Sequence, residues 1–168
     1  MDHLLTEDDL LIICQNSPFI PDQHQLTYAR GFTKIFQGDM ISALYILVPQ
    51  LENSLRYVLK SNGHDVTRIN SNDMTQEDRT ISSLYEQMRN EMENIMGAAI
   101  VADIERVFLH KAGPSIRHQA AHGLLHDASP FSPDAIYACW LIFHLCCLPL
   151  FPYWNEIVEL HATMFDRK

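Results

Sequence analysis

The stretch Asp39–Lys60, with the sequence DMISALYILVPQLENSLRYVLK, determines the class of fold. Its apolar residues recur at the three- and four-residue spacing of one buried helix face, namely Leu44, Val48, Leu51, Leu55 and Val58. Asp39 is a residue type that caps helix starts, and Asn62-Gly63 is a typical helix end. Pro49 lacks a backbone donor, so we expect it to bend or divide the helix. The stretch therefore predicts a long core helix.

Helical patterning continues on both sides of this stretch. Apolar spacing predicts further helices over Asp22–Gln37, Ile81–Met96 with an interruption at Gly97, Ala98–Lys111, and from Ser132 onward. A short helix over RHQAAH should follow Gly113-Pro114, with the proline in its first turn, and close near Gly123. The polar segment Ser61–Thr80 has no period and predicts a loop, and no strand alternation is evident.

These elements predict an all-α fold, a bundle of roughly five or six helices. Residues 1–37 are expected to form an N-terminal helical segment that packs on a helical domain of residues 38–168. The chain has 168 residues, 47% of them hydrophobic and 20% charged, which is the composition of an ordinary globular protein. Its four cysteines form no C-x-x-C pair, and its acidic start lacks the basic region of a secretory signal. We therefore expect reduced thiols and a cytoplasmic location.

The apolar run Ala135–Phe151, AIYACWLIFHLCCLPLF, allows two interpretations. Its 17 residues lie at the lower limit for a membrane span. It also contains His144 and Pro149, and a core helix buried on all sides produces the same pattern. We expect the core helix and keep membrane contact as the alternative.

Charge restricts the class of partner. The formal net charge is −9, which argues against a protein that coats nucleic acid non-specifically, because phosphate affinity comes mainly from lysine and arginine. The stretch from Arg106 to His126 is different, since it holds no acidic residue and carries Arg106, Lys111 and Arg117 beside several histidines. We expect a local anion site there, with Arg106 and Lys111 contributing to substrate binding.

The segment Ser115–Asp127, SIRHQAAHGLLHD, contains the candidate catalytic residues. His118 and His122 are four residues apart and should share one helix face, with Arg117 close to the helix start. Histidine exchanges protons near neutral pH, and arginine can hold two phosphate oxygens. Cleavage of RNA by its own 2′-hydroxyl needs a base, an acid and a cation that stabilises the phosphorane, and it requires no metal in principle.

At these residues the sequence resembles the HEPN superfamily of all-α RNase and toxin domains, whose signature is an arginine, four to six residues, and a histidine. Arg117 and His122 fit that signature. A second block, LVPQLENSLRYVLKSNG at Leu47–Gly63, is similar to a HEPN-like family of unknown function that includes an endoplasmic-reticulum-membrane-associated RNA degradation protein. The shared pattern consists of Pro49, Gln50, Glu52 and Arg56, followed by Gly113, Arg117, Ala121, His122 and Gly123.

The resemblance implies a HEPN-like helical bundle and a metal-independent endoribonuclease without a cofactor. It also implies a homodimer in which the two motifs face each other. Arg117 would hold the scissile phosphate, His122 would transfer or orient a proton, and His118 stands where closer relatives often have asparagine. RNA is the implied substrate, and a toxin-like role would add an antitoxin or another protein partner.

Glu52 and Arg56 allow two interpretations. As an i,i+4 pair on a helix they form a structural ion pair, which contributes roughly 0.2–0.5 kcal/mol. Alternatively, Glu52 lies near His118 or His122, orients the imidazole and raises its pKa.

Three rival hypotheses remain at this point. His118, His122 and His126 could bind zinc, although Gly123 interrupts the stripe and Arg117 would repel a cation. The domain could instead be an inert HEPN-like dimerisation or protein-interaction module, which the acidic composition also fits. Finally, the histidines could simply cap and pack helices.

Overall fold

The computed structural model describes residues 5–69, 75–110 and 112–165, with side chains as far as Glu159. The fold is all-α, as the sequence predicts. The helices are α1 Glu7–Asn16, α2 Gln25–Phe36, α3 Met40–Ser61, α4 Ile81–Gln87, α5 Arg89–Met96, α6 Ala98–Ile104, α7 Ile116–Ala121, α8 Pro133–Cys147 and α9 Trp154–Phe165. A π-helical turn, Glu105–Leu109, extends α6, and 3-10 turns at Ser129–Phe131 and Leu148–Tyr153 flank α8.

Helix α3 is the centre of the bundle, and it packs against α2, α7 and α8. Asp39 caps it by accepting a hydrogen bond from the backbone N–H of Ser42, which confirms the predicted start. The predicted apolar stripe is buried along its whole length. The expected division at Pro49 does not occur, because burial of the helix on both sides of the proline outweighs the loss of one backbone hydrogen bond.

The first two helices pack closely on this centre. Helix α1 begins with a capping box in which the side chain of Thr6 and that of Asp9 bind each other's backbone N–H groups. Helix α2 buries Tyr28 and Phe32 completely, and the Phe32 ring meets that of Phe143 on α8 edge to face with centroids 4.9 Å apart. The N-terminal segment therefore forms part of the main core.

The loop predicted over Ser61–Thr80 is partly wrong. It contains a short antiparallel hairpin of β1, Thr67–Ile69, and β2, Gln76–Asp78. Strands of three residues are too short to show an alternating pattern, so pairing between them is the only signal. The helix predicted over Ile81–Met96 is also divided, since Met88 leaves the helical region and separates α4 from α5.

Most of the helix boundaries predicted around α6 and α7 are confirmed. Gly97 interrupts the chain with φ 90°, and α7 ends at Ala121 before Gly123 at φ 64°. The placement of Pro114 in the first helical turn is wrong, because the helix begins at Ile116 after Ser115 in the left-handed region.

Helix α8 begins where predicted, with the Ser132 hydroxyl accepting from the backbone N–H of Ala135. It is not buried on all sides, because Tyr137 is 48% and Trp140 is 41% exposed. The span Pro133–Glu159 is long and apolar enough to cross a membrane by length and composition alone, and half of its apolar window is buried in the fold. A core helix in a soluble protein meets the same criteria.

Candidate functional site

A shared carboxylate joins the two sequence blocks that predicted the site. Glu52 on α3 accepts from Arg56 Nη1 through Oε1 at 2.8 Å and from Arg117 Nη2 through Oε2 at 3.0 Å. The Glu52 side chain is 17% exposed, so solvent screens these ion pairs only in part. Two guanidinium groups and one carboxylate leave this triad, Glu52 with Arg56 and Arg117, with a net positive charge.

Arg56 also attaches the triad to the hairpin. Its Nη1 donates to the backbone carbonyl of Arg79 at 3.1 Å, and its Nε lies 3.9 Å from Asp78 Oδ2. The predicted structural ion pair between Glu52 and Arg56 is thus confirmed. Within the described ranges, arginines bind both Glu52 oxygens and no hydrogen bond links Glu52 to His118 or His122. The alternative role, in which Glu52 orients one of these imidazoles, stays a prediction.

His118 and His122 form a second, adjoining part of the site. Their ring centroids lie 4.4 Å apart with an interplanar angle of 51°, which confirms that the two rings lie on the same side, although α7 ends at Ala121 and His122 is its C-cap residue. Both residues are exposed, so both imidazoles are accessible to a ligand. Arg117 lies in the same short helix and extends toward α3 instead.

The other predicted residues take different positions. His126 follows Gly123 and lies outside α7. In the part of the chain that the structure describes, no group of three histidine, cysteine or acidic residues is arranged to hold a metal ion, so the three-histidine zinc site does not form. Arg106 donates to Asp103 at 2.9 Å and is otherwise solvent-exposed, and Lys111 lies outside the described residues.

Sequence reasoning missed a polar cavity of about 340 Å³ that opens beside Arg56. Asn53, Tyr57 and Lys60 line it from α3, and residues of the hairpin close the opposite side. The sequence could have indicated Asn53, Tyr57 and Lys60, because they follow Glu52 along the same predicted helix toward its C-terminal end. The hairpin wall could not, because the sequence did not predict it.

A second cavity of about 380 Å³ is apolar and contains none of the predicted site residues. It lies among Phe19, Val58, Ile95, Ile100 and Leu145. Its lining offers packing surface but no group for acid–base chemistry.

No family model matches this chain, and no curated protein or solved structure matches it significantly. The candidate site is therefore characterised by the chemistry of α7 and the triad alone. That chemistry consists of two neighbouring imidazoles that can exchange protons and guanidinium groups that can bind an anion.

Proposed function

We propose that the protein is a metal-independent endoribonuclease that acts as a homodimer. The observation that carries the proposal is the exposed pair His118 and His122, with ring centroids 4.4 Å apart; His118 lies beside Arg117 in α7, and His122 is the C-cap residue of that helix. Cleavage within an RNA chain requires a proton acceptor and a proton donor close together, and two adjacent imidazoles supply both.

In this mechanism one imidazole removes the proton from the ribose 2′-hydroxyl. The 2′-oxygen attacks the phosphorus, and the second imidazole protonates the departing 5′-oxygen. The products are a 2′,3′-cyclic phosphate and a free 5′-hydroxyl. The phosphorane between these steps carries extra negative charge, which a guanidinium group stabilises.

Arg117 is suited to that last role despite its contact with Glu52. A guanidinium group has five N–H donors, and Glu52 accepts from Nη2. The ion pair fixes the direction of the side chain while other donors remain for phosphate oxygens. The Arg117 side chain is partly exposed, so a ligand can reach these donors.

A second copy of the chain would complete the site. Ala121 and Gly123 carry little or no side chain beside His122, which allows another helix to approach closely. A two-fold axis at this surface would bring two arginines and four imidazoles into one cleft.

The second candidate is an inert dimerisation or protein-interaction module. One observation favours it: Glu52 partly neutralises Arg117, in a chain of net charge −9. Such a module would keep the packed triad and bind a protein partner without cleaving RNA.

Labelled single-stranded RNA in excess EDTA distinguishes these functions. The assay compares RNA cleavage by wild type, Arg117→Ala, His122→Ala and the matched surface control His144→Ala. Cleavage by wild type and control alone supports the nuclease. Equal cleavage by all four contradicts the proposed site, and no cleavage by any of them favours the inert module. Wild-type activity that appears only without EDTA would indicate a metal-dependent reaction.

A further inference from the structure

The cavity beside Arg56 has the chemistry of a nucleobase site. Tyr57 is half-buried in its wall and offers an aromatic surface, and the Asn53 amide lies at the same wall, 3.3 Å from Nε2 of His24. Aromatic side chains stack on bases of every type, and polar groups around them bind the base edge. Its volume of about 340 Å³ lies within the usual range for small-ligand sites.

The charges in the cavity favour a base over a phosphate. Arg56 and Lys60 contribute cations, whereas Asp65 and Asp78 contribute carboxylates. Hydrogen bonds from the backbone N–H and hydroxyl of Thr67 lower the pKa of Asp65, so this group stays ionised. With the His64 imidazole, which also lines the cavity, counted as neutral, these charges balance and give phosphate little net attraction. Carboxylates instead accept hydrogen bonds from the exocyclic amino groups of bases.

Asp78 is the carboxylate best placed to read a base. Its side chain is 67% exposed, and its Oδ2 lies 3.9 Å from Arg56 Nε, beyond hydrogen-bonding distance. Its oxygens can therefore accept from a ligand. Asp65 is less available because its Oδ1 already accepts two hydrogen bonds from Thr67.

We propose that this cavity is a base-binding subsite that takes an unpaired nucleotide next to the scissile phosphate. It should prefer adenine, cytosine and guanine, which carry amino groups, over uracil. The assignment rests on the proposed nuclease function and specifies its substrate class as single-stranded RNA, because a paired base would first have to be unpaired and unstacked, at an energetic cost, to enter the cavity.

Arg56 provides the physical link between the cavity and the candidate catalytic groups. It lines the cavity and also shares Glu52 with Arg117. Along α3, the eight residue steps from Glu52 to Lys60 advance about 12 Å. A short RNA segment that contacts Arg117 can thus continue along this helix into the cavity.

Binding of nucleoside 5′-monophosphates tests the subsite without requiring cleavage. Titrations of wild type with GMP, CMP, AMP and UMP, followed by NMR or calorimetry, give the base preference. Tyr57→Leu removes the stacking ring, and Tyr57→Phe keeps it. Asp78→Ala removes the proposed acceptor, and Asp8→Ala removes a matched exposed carboxylate on α1, outside the cavity.

We expect Tyr57→Leu to weaken binding of all four nucleotides roughly 5- to 150-fold, while Tyr57→Phe binds as wild type does. Asp78→Ala should weaken the binding of GMP, CMP and AMP about fivefold to tenfold and leave the binding of UMP unchanged. The Asp8→Ala control should bind all four nucleotides as wild type does. Absence of binding to wild type, or equal binding by wild type, Tyr57→Leu and Asp78→Ala, overturns the subsite. Nucleotide binding without RNA cleavage would contradict the proposed nuclease and leave the binding result intact.

Discussion

Glu52 Oε2 and Arg117 Nη2 lie 3.0 Å apart although 65 residues separate them in the chain. Their contact ties α3 to α7 and joins the two sequence blocks, Leu47–Gly63 and Ser115–Asp127, from which the site was predicted. It also sets the direction of the one arginine that we assign to the scissile phosphate. The integrity of the site and the stability of the fold therefore depend on the same carboxylate.

Glu52→Gln should destabilise the protein. The substitution leaves two neighbouring guanidinium groups in a half-buried position with no carboxylate between them, which we expect to cost about 1–3 kcal/mol in the free energy of unfolding. Urea unfolding monitored by circular dichroism measures the change. Glu7→Gln, which breaks the more exposed pair with Arg30, is the matched control and should cost less. An equal loss in both variants would show that the triad is no more than a surface ion pair.

Local signals predicted the parts of the fold that a short window of sequence controls. The caps at Asp39 and Ser132 and the helix ends at Gly97 and Gly123 depend on neighbouring residues, and all four are confirmed. The close approach of the His118 and His122 rings follows from a spacing of four residues across the last turn of α7 and its C-cap.

Features that depend on distant residues could not be predicted in the same way. The hairpin depends on pairing between Thr67 and Asp78, which lie 11 residues apart. Likewise, the partner of Arg117 is Glu52, which lies on another helix. Hydropathy identified α8 as apolar but could not show that Tyr137 and Trp140 face outward, since that depends on how many neighbours cover the helix. Only the packed chain fixes these relationships.

The buried hydroxyls of Tyr28 and Ser54 link α2 to α3. We expect substitutions of these two residues to have strongly coupled effects on the free energy of unfolding. The hydroxyls of Tyr28 and Ser54 lie 2.5 Å apart, and both residues are completely buried. Tyr28→Phe leaves the Ser54 hydroxyl without this partner, at an expected cost of about 1–3 kcal/mol. Adding Ser54→Ala should restore part of the loss. A double-mutant cycle in urea measures the coupling, and strictly additive effects would contradict it.

Because the cysteine thiols are buried, we expect them to react slowly in the native protein, and we expect the folded protein to lose stability at alkaline pH. Burial raises the pKa of Cys14 and Cys139 to about 12 and that of Cys147 to about 11, from an ordinary 9.0. Because the folded pKa lies above the unfolded one, the stabilisation is fully present below pH 9 and is lost as the pH rises toward 11–12.

Two measurements check this behaviour. Native protein at pH 8 should react slowly with a thiol-specific reagent such as DTNB, whereas the urea-unfolded chain should expose all its thiols at once. The free energy of unfolding should fall steadily above pH 9. Rapid labelling of the native protein at pH 8 would show that the thiols are accessible.

The proposed homodimer gives the most discriminating test of the catalytic arrangement. Ala121 is an exposed small residue of α7, and we expect a second copy to pack beside it. Ala121→Arg adds both bulk and positive charge at that surface, so it should shift the protein to monomers and reduce RNA cleavage in parallel. Ala99→Arg, on the exposed side of α6, is the matched control and should remain dimeric and active. Sedimentation equilibrium at several concentrations measures the oligomeric state. A monomeric wild type, or an Ala121→Arg monomer that cleaves RNA normally, would contradict a site shared between two chains and would require His118 and His122 of one chain to act alone.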